Sequence, residues 1–356
     1  LFFLVCAFRA HNAVSIRTYY DPDEYWQSLE VAHEALSPHT CGYLTWEWAH
    51  RIRGFAHPLI FVGVYKVLQV LGLDDTELLV VAPRLVQSVF VAMADVYTFM
   101  LANKIFGPRA SKWAIMCSLM SWYIYFAGVR TLSNSIESAF TVVGLYYWPW
   151  PRFGGFRLSL LAAATGCILR PTNGIIWVFL GAQLILYRPR LAVTVLIDVA
   201  LIMIFAVQTS IGIDRLFYKT WTFVPLNFIT HNLLTPLASF YGNHPPHWYI
   251  TQALPLTLFT FLPLIIPVLL NEGRTRTLTP LCAWTTAAYS LLPHKEFRFL
   301  MPLVPVGMVL AGEGLRRVSR WRAGIIVGLA LSNGAMGWYF SRVHQRGVVD
   351  VVGWLR

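Results

Sequence analysis

The chain contains a series of long apolar stretches, most of them near the length that crosses a lipid bilayer. About 20 apolar residues in a helix span the hydrocarbon core. Only helices or a closed barrel pair all the backbone N–H and C=O groups there, and these stretches do not alternate in polarity as barrel strands do. They predict an all-α polytopic membrane protein with spans at roughly 78–102, 113–128, 134–150, 158–170, 174–187, 191–212, 253–270, 278–293, 297–312 and 322–340.

Composition supports the membrane class. Hydrophobic residues make up 56% of the 356 residues and charged residues 13%, whereas soluble domains carry roughly 25% charged residues. The net charge of +11 does not indicate a nucleic-acid partner, because the basic residues form no long run and mostly flank apolar segments. Such positions suit topology signals and snorkelling side chains. The five cysteines show neither metal spacing nor a disulfide framework.

The predicted topology depends on whether segment 57–73 spans the membrane. The segment is ambiguous because it is apolar but contains Lys66 and Gln69. If it does not span, the short loops rich in Lys and Arg share one face, which marks that face as cytoplasmic. Those loops contain Lys104, Arg109, Lys112, Arg152, Arg157, Arg188, Arg190, Arg274, Arg276, Arg316, Arg317, Arg320 and Arg322, with Glu272 as the one carboxylate. The lumenal face then receives loops 14–57 and 213–252 and the acids Asp21, Asp23, Glu24, Glu30, Glu34, Glu47, Asp214 and Glu296. We adopt this interpretation.

The first apolar run, Leu1 to Phe8, is too short to span. The chain begins with Leu rather than Met, and no small-residue cleavage site follows the run, so we interpret it as the remnant of a truncated first helix. With that partial span we expect about 11 spans. They form one membrane domain, residues 1–356.

The first polar motif lies in the loop 14–57 and has three carboxylates within four residues: Asp21, Asp23 and Glu24, around Pro22. Clustered carboxylates repel one another, so one of them is a candidate general base with a raised pKa. The alternative is a helix N-terminus, with Asp21 as N-cap and Pro22 in the first helical position. Both interpretations are compatible. The Asp-x-Asp spacing also suits a divalent cation, but no further ligand set accompanies it.

The second motif is His294-Lys295-Glu296-Phe297-Arg298-Phe299, between two apolar stretches. Arg and Lys at a membrane boundary suit a lipid-linked phosphate, since Arg offers bidentate donors and Lys a point charge. Interfacial anchoring by snorkelling is the alternative. The motif lies on the face opposite the basic loops, where topology gives no reason for it. This location favours binding of a lipid-linked phosphate over interfacial anchoring.

Two further motifs interrupt apolar segments. In the first, Arg130 precedes Asn134 and Glu137, which share a helix face. In the second, Arg170-Pro171 breaks a helix, and such breaks form polar sites where they line a cavity. Polar contacts between helices are the alternative for both.

Two ionisable side chains lie within one predicted span. Arg84 and Asp95 occupy the same helix face about 16 Å apart, too far to pair directly. We predict that both belong to a structural network.

The segment from Tyr241 to Tyr249 closes the second lumenal loop with aromatic rings, His and Asn. An aromatic belt at the membrane interface explains such a composition. The same side chains, His247 and Trp248 among them, also suit stacking and hydrogen bonding to a sugar.

Four segments together resemble glycosyltransferase family 22, the dolichyl-phosphate-mannose-dependent mannosyltransferases of the endoplasmic reticulum. They are Asp21–Gln27, Gly42–Trp48, Arg130–Glu137 and His294–Phe299. The resemblance covers essentially the whole chain. Within the family, Trp26–His33 and Val343–Gly347 look most similar to the members that add the third mannose of the GPI anchor. Those relatives begin earlier and continue past Arg356 into a lumenal region, so both ends are expected to be missing here.

The resemblance implies a GT-C-type fold, a multi-pass location in the endoplasmic reticulum membrane and an inverting transfer of mannose. The partners it implies are dolichyl-phosphate-mannose, a glycolipid acceptor of the GPI-precursor type and membrane lipid. No cofactor and no metal are expected, because the donor carries a monophosphate. By similarity, Asp23 is the base and Glu24 its alternative.

The donor phosphate is assigned to Arg298 and Lys295, with His294 and Arg170 in support. The residues expected to contact the acceptor or a sugar are Tyr25, Trp26, Arg130, Asn134, Glu137, His247 and Trp248. Two other functions remain open from the sequence. One is transfer to dolichol-linked N-glycan precursors, and the other is a transporter or lipid scramblase, for which broken helices are typical.

Overall fold

The computed structural model describes residues 1–37, 43–150, 154–231, 242–270 and 277–355. Within these ranges the chain is mainly helical and contains no strand, which confirms the all-α prediction. Some residues named above lie outside the described ranges, together with parts of loops 14–57 and 213–252. They are Gly42, Arg152, Tyr241, Glu272, Arg274, Arg276 and Arg356.

The described helices follow the apolar stretches closely. The α-helices are α1 Phe2–Ser15, α2 Glu30–Leu36, α3 Trp46–Ala49, α4 Ala56–Val70, α5 Leu78–Phe106, α6 Pro108–Met120, α7 Trp122–Ala127, α8 Ser133–Tyr147, α9 Phe156–Leu169, α10 Gly174–Tyr187, α11 Ala192–Tyr218, α12 Val224–Ile229, α13 Leu254–Leu258, α14 Leu262–Leu269, α15 Leu278–Ser290, α16 Val304–Arg317, α17 Arg322–Arg342 and α18 Gly347–Leu355. Short 3-10 turns occupy Pro171–Asn173, Pro189–Leu191, Phe259–Phe261 and Phe297–Leu303, and π-helical turns Tyr25–Leu29 and Tyr249–Ala253.

Five helical segments of the described chain are long and apolar enough to cross a membrane: Leu78–Phe106, Pro189–Tyr218, Tyr249–Leu269, Phe297–Arg317 and Arg322–Val351. Shorter apolar helices cover Ala56–Val70, Phe156–Leu169 and Pro171–Tyr187. The predicted span 113–128 is divided at Ser121 into α6 and α7. The total of about 11 spans therefore remains a prediction, as does the non-spanning placement of 57–73.

Helix α16 lies at the centre of the fold. The apolar window in Phe297–Arg317 is 94% buried, whereas that of Pro189–Tyr218 is 17% buried. Glycines permit this burial: a Cβ on Gly312 would lie 2.4 Å from the backbone nitrogen of Ala114, and one on Gly314 would lie 2.2 Å from the carbonyl oxygen of Leu264. Small residues let helices approach closely in membranes. Peripheral helices such as α11 expose their apolar side chains, as lipid-facing helices do.

A buried ion pair fixes α1 against the centre. Arg9 Nε donates to Asp95 Oδ2 over 2.7 Å, and both side chains are buried. Arg9 Nη2 also donates to the carbonyl oxygen of Ser118, and the Ser118 hydroxyl donates to Asp95. Asp95 is thus part of a structural network, as the sequence predicts. The pair joins α1, α5 and α6 at one point.

Candidate active site

A cavity of about 960 Å³ opens where the predicted lumenal loops meet. Pockets of roughly 300–1,000 Å³ are typical of ligand sites. Segments far apart in sequence supply its walls: Tyr20–Asp23, Trp26, Gln27, Thr45–Glu47, Ile52, Arg53, Arg170–Thr172, Ile175, Phe228, Ile229, His244, Trp248, Gln252, Ala288, Tyr289 and Leu292–Phe299. The structure therefore brings the first motif, the second motif and the Arg170 break to one site.

The Asp21–Glu24 turn begins the helix that carries the first motif. Asp21 Oδ1 accepts a hydrogen bond of 2.9 Å from the backbone N–H of Asp23, which is how an N-cap satisfies an unpaired donor. The chain then winds as a π-helical turn at Tyr25–Leu29. Such turns are rare and occur often at functional sites. The cap and the π turn leave Asp23 and Trp26 on the cavity wall.

Arg298 lies between three carboxylates. Its guanidinium forms ion pairs with Asp23 and Glu296, and its Nη1 lies 3.5 Å from Asp21 Oδ1. The arginine is almost entirely buried, while each carboxylate is partly exposed. The structure thus places Arg298 at the cavity, and its binding of the donor phosphate stays a prediction. Much of its hydrogen-bonding capacity is already used by protein carboxylates, which reduces what it offers to a phosphate.

The carboxyl groups around Arg298 respond differently to their surroundings. Burial raises the pKa of Asp21 to about 6, although Arg298 opposes the rise. Burial also disfavours ionised Glu296, but Arg298 and the hydrogen bond from His294 outweigh it and hold the pKa of Glu296 well below its usual range. The same hydrogen bond to Glu296 raises the pKa of His294. The site therefore combines one carboxyl group with a lowered pKa, Glu296, and one with a pKa raised to about 6, Asp21.

Lys295 provides a different kind of cation. Its Nζ donates to the carbonyl oxygens of His244 and Leu292, and no ion pair joins it to a carboxylate in the described parts of the chain. The side chain is buried at the cavity wall. Backbone carbonyls position the ammonium without neutralising it. Burial lowers the pKa of the Lys295 ammonium, and its position on the wall lets it meet an anion in the cavity.

Glu24 does not lie at the cavity, which corrects its assignment as the alternative base. Its carboxylate is fully buried and receives Arg84 on one oxygen at 2.8 Å and Arg130 on the other at 2.9 Å. Although burial disfavours ionisation, the two guanidinium groups hold the pKa of Glu24 below its usual range. Glu24 is enclosed by two buried cations and lies away from the cavity, so it cannot take a proton from a substrate there. Arg84 thus belongs to a structural network, as the sequence predicts.

Several residues predicted to contact acceptor or sugar are also outside the cavity lining. Arg130 donates to Glu24 and to Thr18, and the hydroxyl of Tyr25 accepts from Arg84. Asn134 is buried, and Glu137 accepts from Asn173 over 3.1 Å in the interior. His247 is exposed but is not a lining residue. Tyr25 and His247 could not be distinguished from the wall by sequence, because each is adjacent to a lining residue, whereas the segment with Arg130, Asn134 and Glu137 contributes no residue to the lining.

Trp26, Trp248 and Arg170 line the cavity, and their contacts with substrate stay predictions. Trp248 stacks on His244 with ring centroids 4.7 Å apart. Arg170 lies at the end of α9, where its Nη1 donates to the hydroxyl of Ser133 over 3.0 Å and its Nε lies 3.4 Å from Glu137. One polar group on the wall was not predicted as a group from the sequence: the hydrogen-bonded side chains of Gln27, Glu47 and Arg53.

No group of three or more His, Cys, Asp or Glu side chains within the described ranges is arranged to hold a metal ion.

The fold and the cavity define a polytopic, all-α membrane protein with a large, charged site lined by several loops. The profile of the Alg9-like mannosyltransferase family matches residues 1–354. The chain belongs to this family.

Curated relatives extend over nearly all of the chain. It is 39% identical over 348 residues to the GPI alpha-1,2-mannosyltransferase 3 of Xenopus laevis, covering 97% of this chain and 65% of the relative. The Homo sapiens protein of that name is 38% identical, with 99% and 64% covered. The GPI mannosyltransferase 3 of Yarrowia lipolytica is 40% identical, with 99% and 69% covered. The chain thus spans about two thirds of the length of these relatives.

Solved structures share the fold. The apo structure of ArnT from Cupriavidus metallidurans superposes with a TM-score of 0.60 at 16% sequence identity, covering 94% of this chain and 62% of ArnT. The structure of the same protein bound to undecaprenyl phosphate gives a TM-score of 0.64 at 13% identity. This similarity confirms the GT-C-type membrane fold predicted from the sequence.

Proposed function

We propose that this chain is the membrane-embedded catalytic part of an α-mannosyltransferase acting on a GPI-anchor precursor at the lumenal face of the endoplasmic reticulum. The donor is dolichyl-phosphate-mannose, and the product carries the third, α-1,2-linked mannose. The observation that supports this function most directly is the meeting of Asp23 and Lys295 on one cavity, in a chain 38–40% identical to the relatives described above.

Asp23 acts as the general base in this proposal. Its carboxylate accepts the proton of an acceptor mannose hydroxyl while the hydroxyl oxygen forms a bond to the anomeric carbon. The bond from that carbon to the phosphate oxygen breaks, and the β-linked donor gives an α-linked product. Base assistance of this kind contributes roughly 10²–10⁴-fold. The ion pair with Arg298 orients the carboxylate toward the cavity.

Lys295 stabilises the leaving phosphate. Charge develops on the phosphate oxygens as the bond breaks, and a fixed cation in a water-poor site stabilises that charge strongly. His294 and Arg170 support it from the same wall. Arg298 contributes mainly by holding its carboxylates, since these occupy its donors. No metal or cofactor takes part in this proposal.

The acceptor glycan is placed against the aromatic wall. Trp26 is 38% exposed, and Trp248 lines the cavity although it is mostly buried; such amphipathic rings provide apolar contact beside polar atoms. Tyr25, Arg130 and Glu137 act indirectly in this scheme, through hydrogen bonds to Arg84, Glu24 and Asn173 behind the wall. His247 lies at the exposed rim.

Complementation tests the proposal. The full-length protein should restore surface GPI-anchored proteins in cells that lack the third GPI mannosyltransferase. Lys295→Met should abolish rescue and Lys295→Arg should retain part of it, because the charge at the cavity is kept. A well-expressed parent that gives no rescue would refute the GPI acceptor. Elongation of dolichol-linked N-glycan precursors by that parent would then establish the alternative acceptor.

A further inference from the structure

One hydrogen-bonded group on the wall of the large cavity has no part in the transfer described above. It consists of Gln27, Glu47 and Arg53, and we call it the Glu47 cluster. Gln27 lies in the π-helical turn and Glu47 in helix α3, so the cluster joins two separate segments of the first loop. The side chains of Glu47 and Arg53 are 16% and 22% exposed. A substrate in the cavity can therefore reach the cluster.

The Glu47 carboxylate is held from two sides. Its Oε1 accepts two hydrogen bonds from Arg53, from Nε over 3.1 Å and from Nη2 over 2.6 Å. Its Oε2 accepts one from the side-chain amide of Gln27 over 3.2 Å. A carboxylate offers about four acceptor positions, so one remains on Oε2. Because the side chain is already ordered, little conformational entropy is lost when a ligand hydroxyl binds to it.

Gln27 supplies a second acceptor next to the first. A carboxylate only accepts hydrogen bonds, so the amide nitrogen of Gln27 is the atom that faces Glu47. The carbonyl oxygen of the same side chain accepts no hydrogen bond from the described residues. The cluster thus combines two oxygen acceptors on one wall. Neighbouring hydroxyl groups of a sugar are matching donors, whereas the negative charge of Glu47 would repel an ionised phosphate.

Two indole rings line the cavity together with this cluster. Trp46 precedes Glu47 in the chain, and Trp26 precedes Gln27. The two segments are joined behind the wall, because the indole nitrogen of the buried Trp48 donates to the carbonyl oxygen of Trp26 over 3.0 Å. A sugar has apolar C–H faces and polar edges, so aromatic rings next to hydrogen-bond acceptors suit it.

The cluster lies near the proposed base. Gln27 follows Asp23 by four residues, which is about 6 Å of helix rise. The Asp23 carboxylate also acts on Arg53: although burial disfavours the charged guanidinium, Glu47 and Asp23 raise its pKa above the usual value. An acceptor sugar that presents one hydroxyl to Asp23 therefore has its other hydroxyls near the cluster. Lys295, the cation for the donor phosphate, is held by other segments.

We propose that Glu47 is a specificity-determining residue that binds a non-reacting hydroxyl of the acceptor mannose, with Gln27 as the second hydrogen-bond acceptor. Arg53 is a positioning residue, because it holds the carboxylate without contacting the sugar. The role rests on the proposed function, since it assumes that Asp23 takes a proton from a mannose hydroxyl. A sugar that lacks the bound hydroxyl would leave the carboxylate unpaired, and sites built to bind a hydroxyl reject such analogues strongly.

Steady-state kinetics on the purified full-length protein test the assignment with a synthetic mannosyl acceptor. Glu47→Gln should raise the KM for this acceptor by about tenfold, the difference between a hydrogen bond to a charged group and one to a neutral group. The KM for dolichyl-phosphate-mannose should stay within about twofold. Gln27→Met should also raise the acceptor KM alone. Glu77→Gln is the matched control, because Glu77 is exposed and is not a lining residue.

Deoxy analogues of the acceptor, each lacking one non-reacting hydroxyl of the accepting mannose, distinguish sugar binding from a structural role. For the analogue without the bound hydroxyl, Glu47→Gln should change the KM by no more than about twofold, because that hydrogen bond is already absent. An equal effect of Glu47→Gln with every analogue would overturn the proposal, as would an unchanged acceptor KM. A rise in the donor KM alone would also overturn it and assign the carboxylate to the donor sugar.

A binding measurement separates failure of this proposal from failure of the proposed function. Methyl α-mannoside should raise the melting temperature of the parent more than sucrose at the same concentration, which acts only by exclusion from the protein surface. Glu47→Gln should lose this difference, and no mannosyl transfer is required. Absence of the difference in the parent, when transfer is intact, would refute the subsite and leave the enzyme assignment unchanged. Gln27→Met breaks no ion pair and replaces Glu47→Gln in both experiments if that variant does not fold.

Discussion

Asp23 and Arg298 are 275 residues apart in the chain and form an ion pair on the wall of the large cavity. The pair joins the first lumenal loop to the turn that begins the central helical segment Phe297–Arg317. A base held by a buried cation keeps its direction, because a guanidinium binds a carboxylate in a fixed plane. The same pair also fixes the distance between the two motifs that the sequence separates most widely.

Asp23→Asn should reduce mannosyl transfer by at least about 100-fold, since the amide cannot accept the hydroxyl proton. Asp21→Asn is the matched control, because Asn retains the oxygen that caps the turn. The control should lose less than about tenfold. Transfer in membranes containing the full-length protein measures both. Equal losses in the two variants would show that the cluster acts through its total charge and not through one base.

Glu24→Gln should destabilise the protein by about 3–5 kcal/mol, because removal of one partner leaves buried cations uncompensated. Both Arg84 and Arg130 depend on this carboxylate. Thermal unfolding in detergent measures the effect, and Glu24→Asp should fall between the parent and Gln. An unchanged melting temperature with lost transfer would restore Glu24 as a candidate base.

Asp21 should make stability depend on pH in an unusual direction. Its pKa rises from 3.8 to about 6 on folding, so the folded state binds the proton more tightly than the unfolded state. That contribution is fully present below pH 3.8 and is lost as the pH rises through about 6. The full rise corresponds to roughly 3 kcal/mol at most.

Relative to the parent, Asp21→Asn should therefore gain stability between about pH 4 and pH 6 and keep that gain at neutral pH. Melting curves of both proteins over this range measure the difference. A constant difference across the range would show that Asp21 is ionised throughout.

Asp95→Asn should lower the melting temperature strongly, because the buried charge of Arg9 would lose the carboxylate that compensates it. Loss of one partner of a buried pair costs about 3–5 kcal/mol. The double variant Arg9→Met with Asp95→Leu should recover most of the stability, since apolar replacement of both partners is often neutral. Asp198→Asn is the control: its partner Arg157 is 76% exposed, and such pairs contribute little. A double variant as unstable as the single one would contradict this account.

Local patterns in the sequence located the helices and the two main motifs. The apolar stretches give the helices directly, and the cap at Asp21 follows from the residues beside it. The partners of Glu24 could not be predicted. Arg84 and Arg130 are 60 and 106 residues away, and nothing in their local sequence indicates which carboxylate they contact in the folded protein.

Arg53 was missed for a related reason. It lies in a short stretch with other basic residues at the membrane boundary, where anchoring is the simplest explanation. Arg53 differs from these neighbours because it contacts Glu47 and lines a cavity together with Arg170. A single sequence carries no signal for such a contact. The predicted topology groups these loops on one face, but only packing selects which side chains reach the cavity.

The π-helical turn at Tyr25–Leu29 has a consequence for insertions and deletions. A π turn holds one residue more than an α turn, so loss of a single residue there would leave a continuous α-helix. The segments on either side would keep nearly the same register, because a π turn uses one residue more for about the same rotation. Asp23 would therefore stay on the wall. The positions that change are those inside the turn, where Trp26 and Gln27 line the cavity, so a deletion at Tyr25–Leu29 would alter substrate contacts and leave the base in place.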